Sequence, residues 1–146
     1  MKNILSKLLL SAVLLILVNI NSAKSQESLY KRLGGYDAIA LVSDDFIGKL
    51  ASDKQLSVFV KGLSVDSQKR LRQHLVDFLC NVTGGPCLYL GRDMKTAHTG
   101  LNISESDWNL AANMLSETLD KFNVAKKEKD EVLGAVVSIK GQIVGQ

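Results

Sequence analysis

Residues 89–98 read YLGRDMKTAH and carry the most specific pattern in this chain of 146 residues, Gly-Arg-x-Met-x-x-x-His. The surrounding residues 87–103 are loop-like, and we expect one short helical turn over residues 93–97 that His98 ends. His98 is one of only two histidines in the chain. Taken alone, it fits a structural histidine as well as a ligand.

Helical periodicity dominates the chain before this stretch. Apolar residues recur every three or four positions over residues 36–50 and 68–82, which predicts two long helices. The pair Gly34-Gly35 precedes the first helix, and Gly84-Gly85-Pro86 ends the second, because proline cannot continue a helix. No strand alternation of useful length occurs, so the fold class is all-α, with four or five helices in one domain.

Two more helices are predicted after the stretch. Ser104 followed by Asp107 is a variant of the capping box, which predicts the start of the third long helix. The last helix is predicted from about Lys127, and its apolar pattern continues to Val144. Gly141 weakens the end of that helix, since glycine is a poor helix former.

The other histidine, His74, lies on the second predicted helix. Five apolar residues form one stripe of that helix: Leu71, Leu75, Phe78, Leu79 and Val82. A helix turns about 100° per residue, which puts His74 about 40° from Phe78, at the edge of the stripe. A histidine in this place is either a structural residue, satisfied or half-exposed, or a ligand that faces the core.

Two histidines without a carboxylate cluster do not suggest zinc, which takes three or four protein ligands. Two imidazoles on opposite sides suit a metal that brings four other ligands, as haem iron does.

The first 25 residues have the composition of a secretory signal. They contain three lysines and no acidic residue, and residues 8–18 are eleven uncharged, mostly apolar positions. A membrane span needs about 20 such residues, so a signal cleaved after Ser25, with Ala23 at −3, is favoured over an uncleaved anchor or a core helix. We therefore expect a domain over residues 26–146, exported to a periplasm or secreted, with no stable membrane anchor after cleavage.

Cleavage removes the net charge of the chain. The whole sequence has 18 Lys+Arg and 15 Asp+Glu, and the three excess charges are the lysines of the leader. A neutral mature chain without a basic patch gives no reason to expect a nucleic-acid partner.

Two cysteines, Cys80 and Cys87, leave two alternatives open. Seven residues span about 10.5 Å on an unbroken helix, beyond the reach of a disulfide. The intervening Gly84-Gly85-Pro86 turns the chain back and an exported protein meets oxidants, so a disulfide is feasible. The alternative is two separate thiols, one in the helix and one on the loop.

Several motifs follow one another along the chain in a fixed order. They are Leu29-Tyr30, Leu33-Gly34-Gly35, Asp45-Phe46, residues 55–59 (QLSVF), Phe78-Leu79, Gly84-Gly85-Pro86 and residues 89–98. With this order and spacing the chain resembles the group I truncated globins, the short two-on-two haemoglobins, over nearly all of residues 29–144.

The resemblance implies a two-on-two helical sandwich around haem b, with His98 as the proximal iron ligand. Met94 matches a residue near the proximal side of the haem, and Phe46 and Phe59 match residues that line the pocket. Further positions implied to lie at the haem are Tyr89 and Arg92 at its edge, with Arg92 able to pair with a propionate, and Phe78 on the second helix. No Cys-x-x-Cys-His run occurs, so covalent c-type attachment is not expected.

The distal side departs from the family pattern. Many members carry a tyrosine whose hydroxyl donates to bound oxygen at the position of Ile47, and Leu71 and Leu75 stand at two distal positions that are often polar. Each lost charge-assisted hydrogen bond is worth about 1.5–3 kcal/mol, so tight oxygen binding is not expected. His74 matches a histidine that ligates iron in some members, notably cyanobacterial ones; the alternatives are a hydrogen bond to a propionate or to a ligand, or solvent exposure.

Three functions follow from the resemblance. The first is reversible binding of small diatomic gases: oxygen, nitric oxide or carbon monoxide. The second is electron transfer through bis-histidine iron to a redox partner. The third, an enzyme of the nitric oxide dioxygenase or peroxidase type, is disfavoured, because the distal side lacks donors and the chain lacks a flavin or nicotinamide motif. A haem-free helical interaction domain would leave the two histidines without a common use.

Overall fold

The computed structural model describes residues 27–146. The predicted signal over residues 1–25 lies outside the described residues, so export and cleavage stay predictions. The described chain contains six α-helices and two 3₁₀ turns: α1 Leu29–Arg32, α2 Gly35–Ser52, a turn Leu56–Phe59, α3 Val65–Val82, α4 Met94–His98, α5 Glu105–Lys121, α6 Lys126–Val137 and a turn Lys140–Gln142. It contains no strand, and the all-α prediction is confirmed.

Side-chain caps decide where four of the helices begin, and Ser28 caps the first of them, α1. Ser104 accepts from the backbone N–H of Asp107, whose carboxylate accepts in return from the backbone N–H of Ser104, so the predicted capping box is present. Ser64 caps α3, which therefore begins earlier than predicted, because its first turn is polar and carries no apolar periodicity. Asp93 caps α4, which ends at His98.

Helix α2 connects two parts of the core. Ile39 packs with Val76 of α3, and Val42 packs with Leu115 of α5 and Val132 of α6. Helix α2 thus lies against both α3 and α5, while α6 covers α5. This arrangement leaves one end of α3 and α5 separated, with α4 and the 3₁₀ turns around the gap.

Helix α3 presents two apolar faces rather than one. Its fully buried residues are Val76 and Cys80, which lie on the side opposite Leu71 and face the core. The predicted stripe remains half-buried for most of its length, and Val82 is 38% exposed, so Val82 does not belong to a buried face. The predicted stripe lines a cavity, and its Leu79 also joins the core, which a second face of Val76 and Cys80 fills.

The carboxyl end of the chain differs from its prediction. Helix α6 ends at Val137, and Lys140–Gln142 form a 3₁₀ turn that carries Ile143 into a buried position. The Gly145 N–H donates to the Ile103 carbonyl at 2.9 Å, and the Asn102 N–H donates to the Gln146 carbonyl at 3.1 Å. These bonds pull the last residues onto the α4–α5 connection, which a continued helix could not reach.

Cys80 and Cys87 form a disulfide, with their Cα atoms 5.8 Å apart. The chain turns back at Gly85, whose N–H donates to the Cys80 carbonyl at 2.8 Å. A Cβ at this glycine would lie 2.8 Å from the same carbonyl oxygen, so the tight turn requires glycine. Of the two alternatives for the cysteines, the structure contains the disulfide.

None of the helices within residues 27–146 has the length and apolar character that a membrane crossing needs.

Candidate functional site

A cavity of about 670 Å³ opens between α3, α5 and the segment around α4. Its size is within the range of small-molecule and cofactor sites. All eleven residues that the sequence analysis placed at the haem line this cavity: Phe46, Ile47, Phe59, Leu71, His74, Leu75, Phe78, Tyr89, Arg92, Met94 and His98. The structure thus brings together side chains from α2, α3, α4 and the loop between α3 and α4.

His98 reaches the cavity from the last turn of α4 and is half-buried. Its Nδ1 lies 2.7 Å from the carbonyl oxygen of Met94. A carbonyl only accepts, so Nδ1 carries the proton and Nε2 keeps its lone pair free for a metal. The hydrogen bond also fixes the orientation of the ring, as the outer contact of a metal-ligating histidine does.

Asp93 supports this histidine from the start of α4. Its carboxylate accepts from the backbone N–H of Thr96 at 2.9 Å and caps a helix of five residues. The hydrogen bonds from Thr96 hold the pKa of the Asp93 carboxyl below its usual value. The cap therefore stays ionised at neutral pH and stabilises the helix that carries His98.

His74 reaches the same cavity from α3 and is also half-buried. Its ring makes a T-shaped contact with the Tyr89 ring, with centroids 5.9 Å apart and planes at 71°. Tyr89 makes a second edge contact with Phe78 at 5.7 Å. The two histidines therefore come from different helices and share one cavity, which the helix geometry of α3 alone could not establish.

Tyr89 is fixed at the cavity wall by its hydroxyl, which donates to the Arg92 carbonyl at 2.7 Å. Burial raises the pKa of its phenol, so the phenol stays protonated. The ring lines the cavity, and its hydroxyl is committed to the backbone.

The side of the cavity around Ile47, Leu71 and Leu75 is apolar. These three side chains have no hydrogen-bond donor, and the polar cavity residues on the same helix as Leu71 and Leu75 are Ser67, Arg70 and His74. The polar residues that the sequence analysis did not single out are Ser67, Arg70 and Asp107. The Asp107 carboxylate already accepts from Ser104 and Gln55, which lowers its pKa.

Several other lining residues were also missed. Arg70 stands four residues before His74, so the helical spacing that placed His74 would have placed Arg70 on the same face. Trp108 of α5 lines the cavity as well. Ile143 belongs to the apolar pattern of the last predicted helix, but its place in the cavity wall depends on the 3₁₀ turn at Lys140–Gln142.

The metal-binding and lining side chains of the cavity fit haem. Residues 27–146 contain no group of three or more His, Cys, Asp or Glu that could hold a metal ion by themselves. A metal between His74 and His98 must bring its other ligands, as porphyrin iron does. The apolar walls suit the macrocycle, and the exposed guanidinium groups of Arg70 and Arg92 suit its two propionates.

Comparison with known proteins identifies the family. The model of the bacterial-like globin family matches residues 28–144. The group 1 truncated haemoglobin GlbN of Mycolicibacterium paratuberculosis is 33% identical over 116 residues, which cover 80% of this chain and 83% of that protein. The group 1 truncated haemoglobin GlbN of a Nostoc species is 32% identical over 119 residues, which cover 82% and 98%.

Solved structures show the same fold. THB1 of Chlamydomonas reinhardtii aligns with a TM-score of 0.70 at 31% identity and covers 82% of this chain and 98% of that one. The 2/2 haemoglobin of a Synechococcus strain aligns with a TM-score of 0.72 at 28% identity and covers 82% and 100%. The chain therefore belongs to the bacterial-like globin family, has the all-α fold of a truncated haemoglobin and takes haem b as its cofactor.

Proposed function

We propose that this protein is an exported haem b protein that binds small diatomic gases at an iron held by His98, with His74 as a second, displaceable ligand. The observation that carries the proposal is that the chain's only two histidines line one cavity from different helices. Haem would supply the iron that binds the gas, and His98 and His74 are the residues that would hold that iron.

His98 is the stronger of the two candidate ligands. Its Nδ1 donates to the Met94 carbonyl, which leaves the Nε2 lone pair on the cavity side. Met94 therefore has two uses, since its side chain lines the cavity while its carbonyl orients the ligand.

His74 lacks an anchor of this kind, and that difference supports its role as the displaceable ligand. It is held by the edge of an aromatic ring, and such a contact is worth only about 0.5–1.5 kcal/mol. A gas that binds iron more strongly than an imidazole then takes the position of His74 without breaking a strong hydrogen bond.

The apolar distal wall supports a preference among gases. A ligand that gains negative charge on binding, as oxygen does, requires donors, and Ile47, Leu71 and Leu75 supply none. We therefore place nitric oxide and carbon monoxide ahead of oxygen as ligands. Oxidative enzyme chemistry is disfavoured for the same reason.

Electron transfer is the second candidate function. It is favoured if both histidines remain on the iron in the ferric and the ferrous states, because little then reorganises when the electron moves. Slow and weak gas uptake with rapid reduction by a small redox partner would support this candidate over gas binding.

The absorption spectrum of the haem-loaded protein tests the ligand assignment. We expect a six-coordinate low-spin ferric spectrum that becomes high-spin in His74→Ala, and loss of haem in His98→Ala. Lys69→Ala is the matched control, because Lys69 is exposed on the same helix. A low-spin spectrum that survives in His74→Ala would refute the distal role, and a protein without a Soret band would refute haem binding.

Export has its own support and test. The leader composition supports it, and a disulfide between Cys80 and Cys87 fits an oxidising compartment. The intact mass of the protein produced with its leader should correspond to a chain that begins at Gln26. A mass that retains the first 25 residues would contradict cleavage.

A further inference from the structure

The segment between α3 and α4 places one aromatic side chain in the cavity. Tyr89 points inward, whereas its neighbours Leu88 and Leu90 are 74% and 83% exposed. The segment has no helix or strand hydrogen bonds of its own. Other contacts must therefore hold the tyrosine in place.

Covalent and polar contacts attach the start of this segment to α3. The disulfide ties Cys87 to Cys80, and the Asn81 side chain donates to the Cys87 carbonyl at 3.1 Å. Within the segment, the Tyr89 hydroxyl donates to the Arg92 carbonyl. The segment is thus attached to α3, the helix that carries His74.

Gly91 adds a steric contribution. A Cβ at this position would come closer than 3.0 Å to the Tyr89 ring, so the backbone passes directly against the ring. The ring is consequently enclosed by the Gly91 backbone on one side and by His74 and Phe78 on the other.

The contact with His74 restricts that histidine. His74 and Phe78 are one helical turn apart on α3, and both rings make T-shaped contacts with the Tyr89 ring. Turning the His74 ring away from the cavity would give up the Tyr89 edge contact. The tyrosine therefore favours the rotamer in which His74 faces the cavity.

We propose that Tyr89, held by the Cys80–Cys87 disulfide, is a positioning residue that keeps His74 on the cavity side and so raises its occupancy of the distal iron position. The inference rests on the proposed function, in which His74 is that ligand. If so, oxidation of Cys80 and Cys87 to the disulfide, outside the cavity, raises the fraction of iron that His74 ligates.

The ratio of six- to five-coordinate ferric protein measures this effect. Removal of one aromatic edge contact, in Tyr89→Leu, should lower the ratio about 2- to 10-fold. Tyr89→Phe keeps the ring and should recover most of it. Leu90→Ala is the matched control and should leave the ratio unchanged, because Leu90 is exposed in the same segment.

Cys87→Ala tests the part played by the disulfide. It should lower the ratio in the same direction as Tyr89→Leu, and the double variant should add little, since both changes act through one contact. Azide titration of the ferric protein gives the ratio even where the wild type is fully six-coordinate, because azide competes with His74. An unchanged ratio in both Tyr89→Leu and Cys87→Ala would overturn the proposal.

A second readout separates this proposal from the distal assignment. In the ferrous carbon monoxide form the gas occupies the iron in every variant, so an NMR cross-peak between the Tyr89 and His74 rings reports their contact alone. We expect the cross-peak in the wild type and in Leu90→Ala, and its loss in Cys87→Ala. A low-spin signal that His74→Ala does not change refutes the distal ligand, whereas a cross-peak retained in Cys87→Ala refutes the role of the disulfide.

Discussion

Removal of the disulfide by Cys87→Ala should lower the free energy of unfolding by an amount that depends on the length of the loop the bond closes. The bond closes a loop with a sequence separation of seven residues, and Cys80 stays in the core as a thiol, so its packing is kept. In the chain-entropy account a loop of this size stabilises the fold by about 2.5 kcal/mol. For a domain of about 120 residues this corresponds to a fall in Tm of about 10 °C.

The assay is thermal unfolding of the haem-loaded protein, followed by far-UV circular dichroism. A phosphine reductant should lower the Tm of the wild type to that of Cys87→Ala, and should leave Cys87→Ala itself unchanged, which is the control. A variant that melts within about 2 °C of the oxidised wild type would refute the reasoning, because the unfolded chain would then gain little conformational entropy when the disulfide is absent.

Three further predictions concern a turn, an ion pair and a cap. Gly85→Ala should destabilise the fold by about 1–3 kcal/mol in urea unfolding. The alanine Cβ would lie 2.7 Å from the Cys80 Sγ, and the tight turn leaves no room to relieve this clash. The Asp45 carboxyl accepts from Lys121, which lowers its pKa, so Asp45→Asn should lose stability at neutral pH and approach the wild type as the pH falls through the lowered pKa. Asp93→Ala should speed the transfer of haem to an acceptor globin about 2- to 10-fold, because the short helix that carries the proximal histidine loses its cap.

Each of these predictions has its own control or contradicting result. The control for Gly85→Ala is Gly48→Ala, within α2, where open space surrounds the Cβ, so it should stabilise the fold by about 0.5–1 kcal/mol. A wild-type advantage over Asp45→Asn that stayed constant down to pH 3 would contradict the pKa argument. Asp93→Asn retains an oxygen that can cap the helix, so it should release haem at a rate near that of the wild type; release as fast as in Asp93→Ala would contradict the capping argument.

Local sequence signals predicted the parts of the molecule that local chemistry decides. The box of Ser104 and Asp107 placed the start of α5, since both hydrogen bonds lie within one turn. The spacing of Met94 and His98 put both in one short helix, where the carbonyl of the first reaches the ring of the second. The resemblance supplied the shared cavity, which no single helix reveals.

Long-range packing decided what the sequence did not predict. Val76 and Cys80 look peripheral beside the stripe of Leu71 and Leu75, and only the position of α2 shows that they form the core face. The 3₁₀ turn that brings Ile143 to the cavity depends on contacts with the α4–α5 connection. Both cases require knowledge of which element packs on which, and periodicity carries no such information.

The pinned carboxyl end has a practical consequence. Gly145 and Gln146 hydrogen-bond to the residues just after α4, and Ile143 forms part of the cavity wall. A purification tag or fusion partner joined at this end would disturb the cavity wall at Ile143, whereas one joined before α1 would not. Removal of residues 143–146 would take Ile143 out of the cavity wall, so we expect the shortened chain to release haem faster than the full chain.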